Sequence, residues 1–346
     1  MGMPQFESIT TERLVVRPMR ADDVESLWER RNDPTTARFQ NWTLPYARER
    51  AQELVDGVVA LDGVPPANGW MQLAVDLRET GVVCGDLAIG FTFDGRCAEI
   101  GCSLDADVRS GGVATEAAEA LVAWLFETAG VSRVSAMMHP DNLASVRVVE
   151  HLGLVFEGHT RNSYWVGDEN SDDWIYGMTP EMWRAWVDRP RTPPESVDLV
   201  EITPANLLAV ERLATHHSQR RFVAPMTGSF ADALVPAPHD GHAVVPWLRA
   251  ITADDDVAGF VMLTSPTDAH PNPYLWRLLI DRMHQRRGIG GRAVDLVVEW
   301  ARELGAESID VSYVEGPGSP EPLYRKRGFA PTGEIDDGET VARLEF

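Results

Sequence analysis

The chain has 346 residues, 44% hydrophobic and 24% charged, the composition of a globular protein of about two domains. Acidic residues outnumber basic ones by 53 to 31, a formal charge of −22, which excludes general phosphate-backbone binding and so nucleic acid as a partner. No apolar run is long enough to cross a bilayer, and the first residues, MGMPQFESITTERL, lack the apolar stretch of a secretory signal, so no membrane partner and a cytoplasmic location are expected.

In chain order, RLVVRPMRADDVESLWERR (13–31) reads as a strand, a polar turn and a helix. Three cysteines follow, Cys84, Cys97 and Cys102. None forms a metal-type pair with nearby histidines, so no metal is expected. They read as buried small hydrophobes in a reducing compartment. VRSGGVATEAAEALVAWLFETAG (108–130) places glycines at the mouth of an apolar-periodic helix. The Pro- and charge-rich stretch VDRPRTPPESVD (187–198) reads as a linker. It divides the chain into domains 1–190 and 191–346.

The second domain repeats the pattern of the first. VDLVEITPANLLAVERLA (197–214) is again strand, turn and helix, with Thr203 or Asn206 near the helix start. Strands are expected near 246–252, 257–264 and 274–281. HQRRGIGGRAVDLVVEWARELGA (284–306) then brings the glycine-entry helix, about 288–304. A strand at 307–313, a short helix at 320–327 and strands at 329–333 and 340–346 complete the reading. Each half is α+β, a mixed, mostly antiparallel sheet flanked by helices.

Two spacings tie the halves together. Gly153 lies 44 residues after Arg109, and Gly328 lies 43 after Gln285. A second glycine follows five later in each, Gly158 and Gly333. The helix mouths have a physical use: first-turn N–H groups lack partners, the helix dipole adds positive charge, and glycine lets an anion approach.

The loops Arg109-Ser110-Gly111-Gly112-Val113-Ala114 and Gln285-Arg286-Arg287-Gly288-Ile289-Gly290 resemble those of the GNAT acetyltransferase superfamily, once in each half. The resemblance implies that both loops, with Gly291, hold the pyrophosphate of acetyl-CoA. It implies that Leu104 in the first half, and Leu279 and Ile280 in the second, offer backbone contacts to the acetyl and pantetheine parts. TERLVVRP, EIGCSLDADVRSGGVATEA and HPDNLASVRVVEHLGLVFEG resemble ribosomal-protein amino-terminal acetyltransferases. QRRFVAPMTGS, YLWRLLIDRMHQRRGIGG, SPEPLYRKRGF and TGEIDDGE resemble spermine/spermidine and diamine acetyltransferases.

N-acetyl transfer needs a base for the amine and a proton for the departing thiolate. By resemblance Tyr324, four residues before Gly328, supplies that proton, which assigns the chemistry to the second half. Val149 occupies the matching place in the first half and cannot donate. Ser145 is the substitute hydroxyl there, Asn142 a helix cap and pantetheine contact, and Glu99 the candidate base. In the second half Trp276 either shapes the acceptor pocket or belongs to the core. Glu334 and Glu339 either attract a cationic amine or lie in a solvated turn. Pro317 replaces the asparagine of many relatives.

The activity implied is acetyl transfer from acetyl-CoA to a primary amine of a small cationic acceptor, polyamine-like, aminoglycoside-like or a peptide antibiotic. A second enzyme reading is mycothiol-synthase-type acetylation of a cysteinyl amine. A reading of another class is an acyl-CoA-binding sensor with one or both halves inactive. Oligomeric state is left open by the sequence.

Overall fold

Strand alternation and helix periodicity resolve into two sheets. A computed structural model describes residues 2–166 and 168–346, and the chain divides into two compact units, Met1–Val187 and Asp188–Phe346. The first runs β1 (Ile9–Thr10), β2 (Leu14–Pro18), α1 (Val24–Asn32), α2 (Pro34–Ala37), α3 (Arg48–Ala60), β3 (Gly69–Leu77), β4 (Val83–Thr92), β5 (Cys97–Leu104), α4 (Val113–Glu127), β6 (Arg133–Met138), α5 (Leu143–His151), β7 (Val155–Val166), β8 (Glu169–Met178) and α6 (Pro180–Asp188). The second runs β9 (Val197–Val200), α7 (Leu207–Glu211), α8 (Met226–Leu234), β10 (Pro246–Ala253), β11 (Asp256–Thr264), β12 (Tyr274–Ile280), α9 (Ile289–Glu303), β13 (Ser308–Tyr313), α10 (Glu321–Arg325), β14 (Ala330–Asp336) and β15 (Glu339–Glu345). The expected elements of the second half are found, with ends shifted by up to three residues.

The first sheet is ordered β1-β2-β3-β4-β5-β6-β8-β7 and the second β14-β15-β13-β12-β11-β10-β9. Each has one parallel pair, β5 with β6 and β12 with β13, and is otherwise antiparallel. A parallel pair needs a crossover, and α4 and α9 provide it. Both are 15 residues long and bury an apolar stripe, from Val113 to Leu125 in α4 and from Ile289 to Ala301 in α9. In the second unit one apolar cluster lies under α9 and another under α7 and α8, with the sheet between them.

Buried charges fix the turn region of the first unit. Arg17 pairs with Asp23 and Asp76, each at 2.7 Å. Arg30 pairs with Asp86 at 2.9 Å and Asp105 at 2.8 Å. A buried arginine held between two carboxylates is hard to lose, because one truncation leaves two charges uncompensated. The cysteine expectation needs correction. Cys84 is buried, whereas Cys97 and Cys102 are partly exposed on β5, where the side chains alternate between the two faces. Burial pushes the Cys84 thiol up to about 11.

Among the described residues no helix is long and apolar enough to cross a membrane.

Candidate active site

The glycine loops have the same backbone in both units. Ser110 and Arg286 each sit at φ 64°, and Gly112 and Gly288 at 80° and 81°. Left-handed backbone at the last position before the helix is what glycine is for. The first intrahelical bonds run from Glu116 to Gly112 and from Arg292 to Gly288. The amides of Val113 and Ala114, and of Ile289, Gly290 and Gly291, therefore have no intrahelical acceptor. Among the described residues nothing stands within 4 Å of a Cβ placed at Gly288. Free amides, a dipole end and open space are what a pyrophosphate requires.

The first residue of each loop acts on the protein itself. Arg109 Nε donates to the Leu104 carbonyl at 3.1 Å, and Gln285 Nε2 donates to the Ile280 carbonyl at 3.0 Å. Both reach back five residues and close the loop onto the preceding strand. Arg109 is further held by Asp33 at 3.1 Å and by Thr35 and Thr36. Two residues of the second loop point elsewhere. Arg287 is buried, its guanidinium on the Thr192 carbonyl and His284 Nδ1, whereas Arg286 is exposed. Gly291 lacks a side chain because the Arg327 guanidinium fills that space, 1.9 Å from a Cβ placed there. What Arg287 and Gly291 can offer an anion is their backbone.

Beside each loop the sheet forks. β5 and β6 pair only over Cys97↔Arg133, Ala98↔Val134 and Glu99↔Ser135. β12 and β13 pair only over Tyr274↔Asp310 and Leu275↔Val311. Past the fork the edges of β5 and β12 have no strand partner on that side. The Leu104 and Ile280 carbonyls there are taken by Arg109 and Gln285, and the Leu279 carbonyl faces β11, so what these positions leave for a ligand or water is the edge's remaining backbone groups. The forks differ in one respect. The register of β11 with β12 skips Trp276, between Met262↔Arg277 and Leu263↔Leu275, whereas β4 and β5 pair without a shift. The bulge leaves an extra peptide unit at the second fork. The Trp276 side chain packs on the cluster under α7 and α8.

Glu99 stands at the last paired position of the first fork, and it faces a cavity of about 1450 Å³. The sheet floor is laid out in rows, Trp70–Gly90–Glu99 and then Gln72–Ala88–Gly101. Trp70 lies across Gly90, within 2.7 Å of where a Cβ would be. Seven acidic side chains line the cavity against two arginines, Arg31 and Arg38, so a cationic guest is favoured over an anionic one. Burial first, and the neighbouring Asp173 second, raise Glu99 above the ordinary glutamate range. Tyr164 lies in the same wall. Burial and Asp173 raise it, which keeps its hydroxyl protonated. Phe39, Trp42 and His139 also line the space.

Asn142 caps α5, its Oδ1 accepting from the Ser145 amide at 3.2 Å. Ser145 sits in the first turn of that helix, and Val149 is buried. In the second unit Tyr324 is buried on α10, stacked on Tyr313 with ring centres 6.1 Å apart. Burial raises its hydroxyl, so the proton is retained at neutral pH. Tyr274 donates to Ser312 Oγ at 2.5 Å, and Ser312 donates to Glu339. Glu339 is thus tied to the fork, whereas Glu334 lies on β14, which is exposed along its length.

Sequence reasoning missed Arg31, Gln72, Tyr164 and Asp173 as cavity residues. Tyr164 and Asp173 come from β7 and β8, whose register shifts at Phe156/Gly158 and at Thr160/Tyr164. Two shifts in one hairpin erase the alternation that would show which side chains share a face.

The family described as acetyltransferase (GNAT) domain matches residues 13–155, and the acetyltransferase (GNAT) family matches residues 210–329. The chain is 25% identical over 178 residues to the uncharacterized N-acetyltransferase YnaD of Bacillus subtilis, covering 51% of this chain and 98% of the relative. It is 28% identical over 161 residues to the uncharacterized N-acetyltransferase p20 of Bacillus licheniformis, covering 45% and 87%. Similar solved structures include a ribosomal L7/L12 α-N-protein acetyltransferase, RimL, in complex with coenzyme A, at a TM-score of 0.45 and 18% identity over 50% of this chain and 98% of that one. A ribosomal-protein-serine acetyltransferase structure from Vibrio cholerae gives a TM-score of 0.43 at 21% identity, over 51% and 100%. With a GNAT match on each side of the linker, the chain belongs to the GNAT acetyltransferases as a tandem of two such domains, and acetyl-CoA is its acetyl donor.

Proposed function

We propose that the protein acetylates a primary amine that enters the cavity of the first unit, with Glu99 as the base. The observation that carries this is the position of Glu99, at the fork and facing the cavity. Acetyl-CoA supplies an activated acyl carbon when bound. The amine nitrogen forms a bond to that carbon, the carbon–sulfur bond breaks, the nitrogen's proton passes to the Glu99 carboxylate, and the thiolate takes a proton from Ser145. A carboxylate raised by burial suits this task, since a base works best with its pKa close to the operating pH. The acidic lining favours an amine over a neutral or anionic nucleophile, and the polyamine-like, aminoglycoside-like and cysteinyl-amine classes all remain acceptors of this chemistry. A screen of such amines that follows free CoA release tests the reading. Release stimulated by no amine would reduce the protein to an acyl-CoA binder.

The second unit favours a second reading, in which it also transfers acetyl. Its buried Tyr324 holds a proton beside the fork, and the Tyr274–Ser312–Glu339 chain offers a carboxylate for the amine's proton. Tyr324→Phe is then expected to lower the turnover that survives Glu99→Gln by about 10²–10⁴. Acetyl-CoA affinity stays unchanged, because the ring is kept. Stopped-flow measurement of free thiol checks it, and full retention of the residual rate removes the second reading.

A further inference from the structure

The first unit buries three arginines, Arg17, Arg30 and Arg31. The first two are each held between two carboxylates. Arg31 is 7% exposed and, among the described residues, has no carboxylate partner. Its Nε has no hydrogen-bond acceptor. It lies over the Trp42 ring, 4.1 Å from the centroid, and near Tyr46 at 5.4 Å. Trp42 is itself fixed, since its indole N–H donates to the Arg31 carbonyl at 2.9 Å. Arg31 lines the same cavity as Glu99.

A guanidinium stays charged at every physiological pH. Buried without a counter-ion, it carries a desolvation cost that two aromatic faces offset only in part. The aromatic stack also holds the planar fork in one orientation, which lowers the entropy lost when an anion docks. Seven acidic side chains line this cavity, yet none of them is bonded to Arg31. Gln72 adds a second unfilled position. Its Oε1 is buried without a donor, and it stands on the floor one row along and two strands across from Glu99. That is roughly 12 Å away at ordinary strand spacings.

We propose that Arg31 binds a carboxylate of the acceptor, so that the substrate is an amino acid-like or short peptide-like zwitterion. Its amine lies at Glu99, its carboxylate takes the Arg31 fork, and a donor group between them reaches Gln72. A carboxylate matches the planar fork with two parallel hydrogen bonds. This rests on the reading that the first-unit cavity holds the acceptor, and it adds what the far end of that acceptor carries.

The test compares matched acceptors on the full-length protein: ω-amino acids of increasing chain length and short dipeptides, each against its own C-terminal amide, with O-phosphorylated amino alcohols as a third arm. The free acids are expected to exceed their amides in kcat/KM by about 10- to 100-fold, as a charged hydrogen bond predicts. Calorimetry with CoA present should show the same order in affinity. Arg31→Gln should erase the preference and Arg31→Lys retain part of it. The number of acetyl-CoA sites per chain, unchanged from the wild-type protein in the same variants, together with an unchanged thermal unfolding profile, reports that the first unit folds. Amides that turn over as well as acids in the wild-type protein overturn the proposal while leaving amine acetylation at Glu99 intact. A preference for the phosphorylated arm overturns the carboxylate assignment. Failure of every amine, acids included, overturns the cavity reading and this proposal with it.

Discussion

Glu99→Gln is expected to lower kcat for the preferred amine by about 10²–10⁴, the usual worth of a positioned base. The substitution keeps the shape of the side chain and its place at the fork and removes only the capacity to take a proton. KM for acetyl-CoA should barely change, because the anion loop lies at the far end of β5. The pH profile is the sharper reading. The base must be ionised, so the rate falls as pH falls through the Glu99 pKa. Burial and Asp173 place that pKa above the ordinary glutamate range, so the acid limb begins at a higher pH than an exposed glutamate would give. Asp173→Asn removes the repulsion and should move the limb to lower pH without abolishing turnover. An unchanged rate and an unchanged acid limb in Glu99→Gln would place the base elsewhere.

Gly112→Glu and Gly288→Glu are each expected to abolish one of two acetyl-CoA sites per chain. Both positions sit near φ 80°, where any other residue is strained by about 1–2 kcal/mol. The new carboxylate would also stand at the amides meant for pyrophosphate. Calorimetry should give a stoichiometry of two for the wild-type protein and one for each variant. Gly112→Ala and Gly288→Ala carry the strain without the charge and should weaken the sites less. A wild-type stoichiometry of one, lost in only one of the two glutamate variants, would show that one loop has kept its shape without its ligand.

The glycine loops were legible because backbone geometry writes itself into sequence. A left-handed residue before a helix asks for glycine, and Gly112 and Gly288 answer at spacings from the glycines downstream that differ by a single residue. The left-handed Ser110 and Arg286 were not legible, since neither residue type announces that conformation. Loop arginines were harder still. Arg287 and Arg286 are neighbours in a basic run, yet one is buried against Thr192 and His284 and the other is exposed. Only the tertiary structure separates them. Glu99 could be singled out from its place before the loop, but the cavity it faces could not. Its walls are drawn from α1, β3 and the β7–β8 hairpin, spread over more than a hundred residues of chain, and the hairpin's two register shifts break the period-two signal.

The bulge at Trp276 changes how the two halves must be compared as descendants of one ancestor. Counting back from the loop places Leu275 opposite Glu99. One additional residue in a strand turns everything upstream of it through half a rotation, so in space the counterpart of Glu99 is Tyr274. Leu275 belongs to the cluster under α9, and Tyr274 has the opposite face and leads through Ser312 to Glu339. An ungapped alignment of the copies would therefore record a glutamate replaced by leucine and declare the later copy dead. With a single-residue gap at Trp276 it records a glutamate replaced by a tyrosine with a carboxylate behind it. For duplicated enzymes, an insertion of one codon in a strand can thus pass for a lost active site.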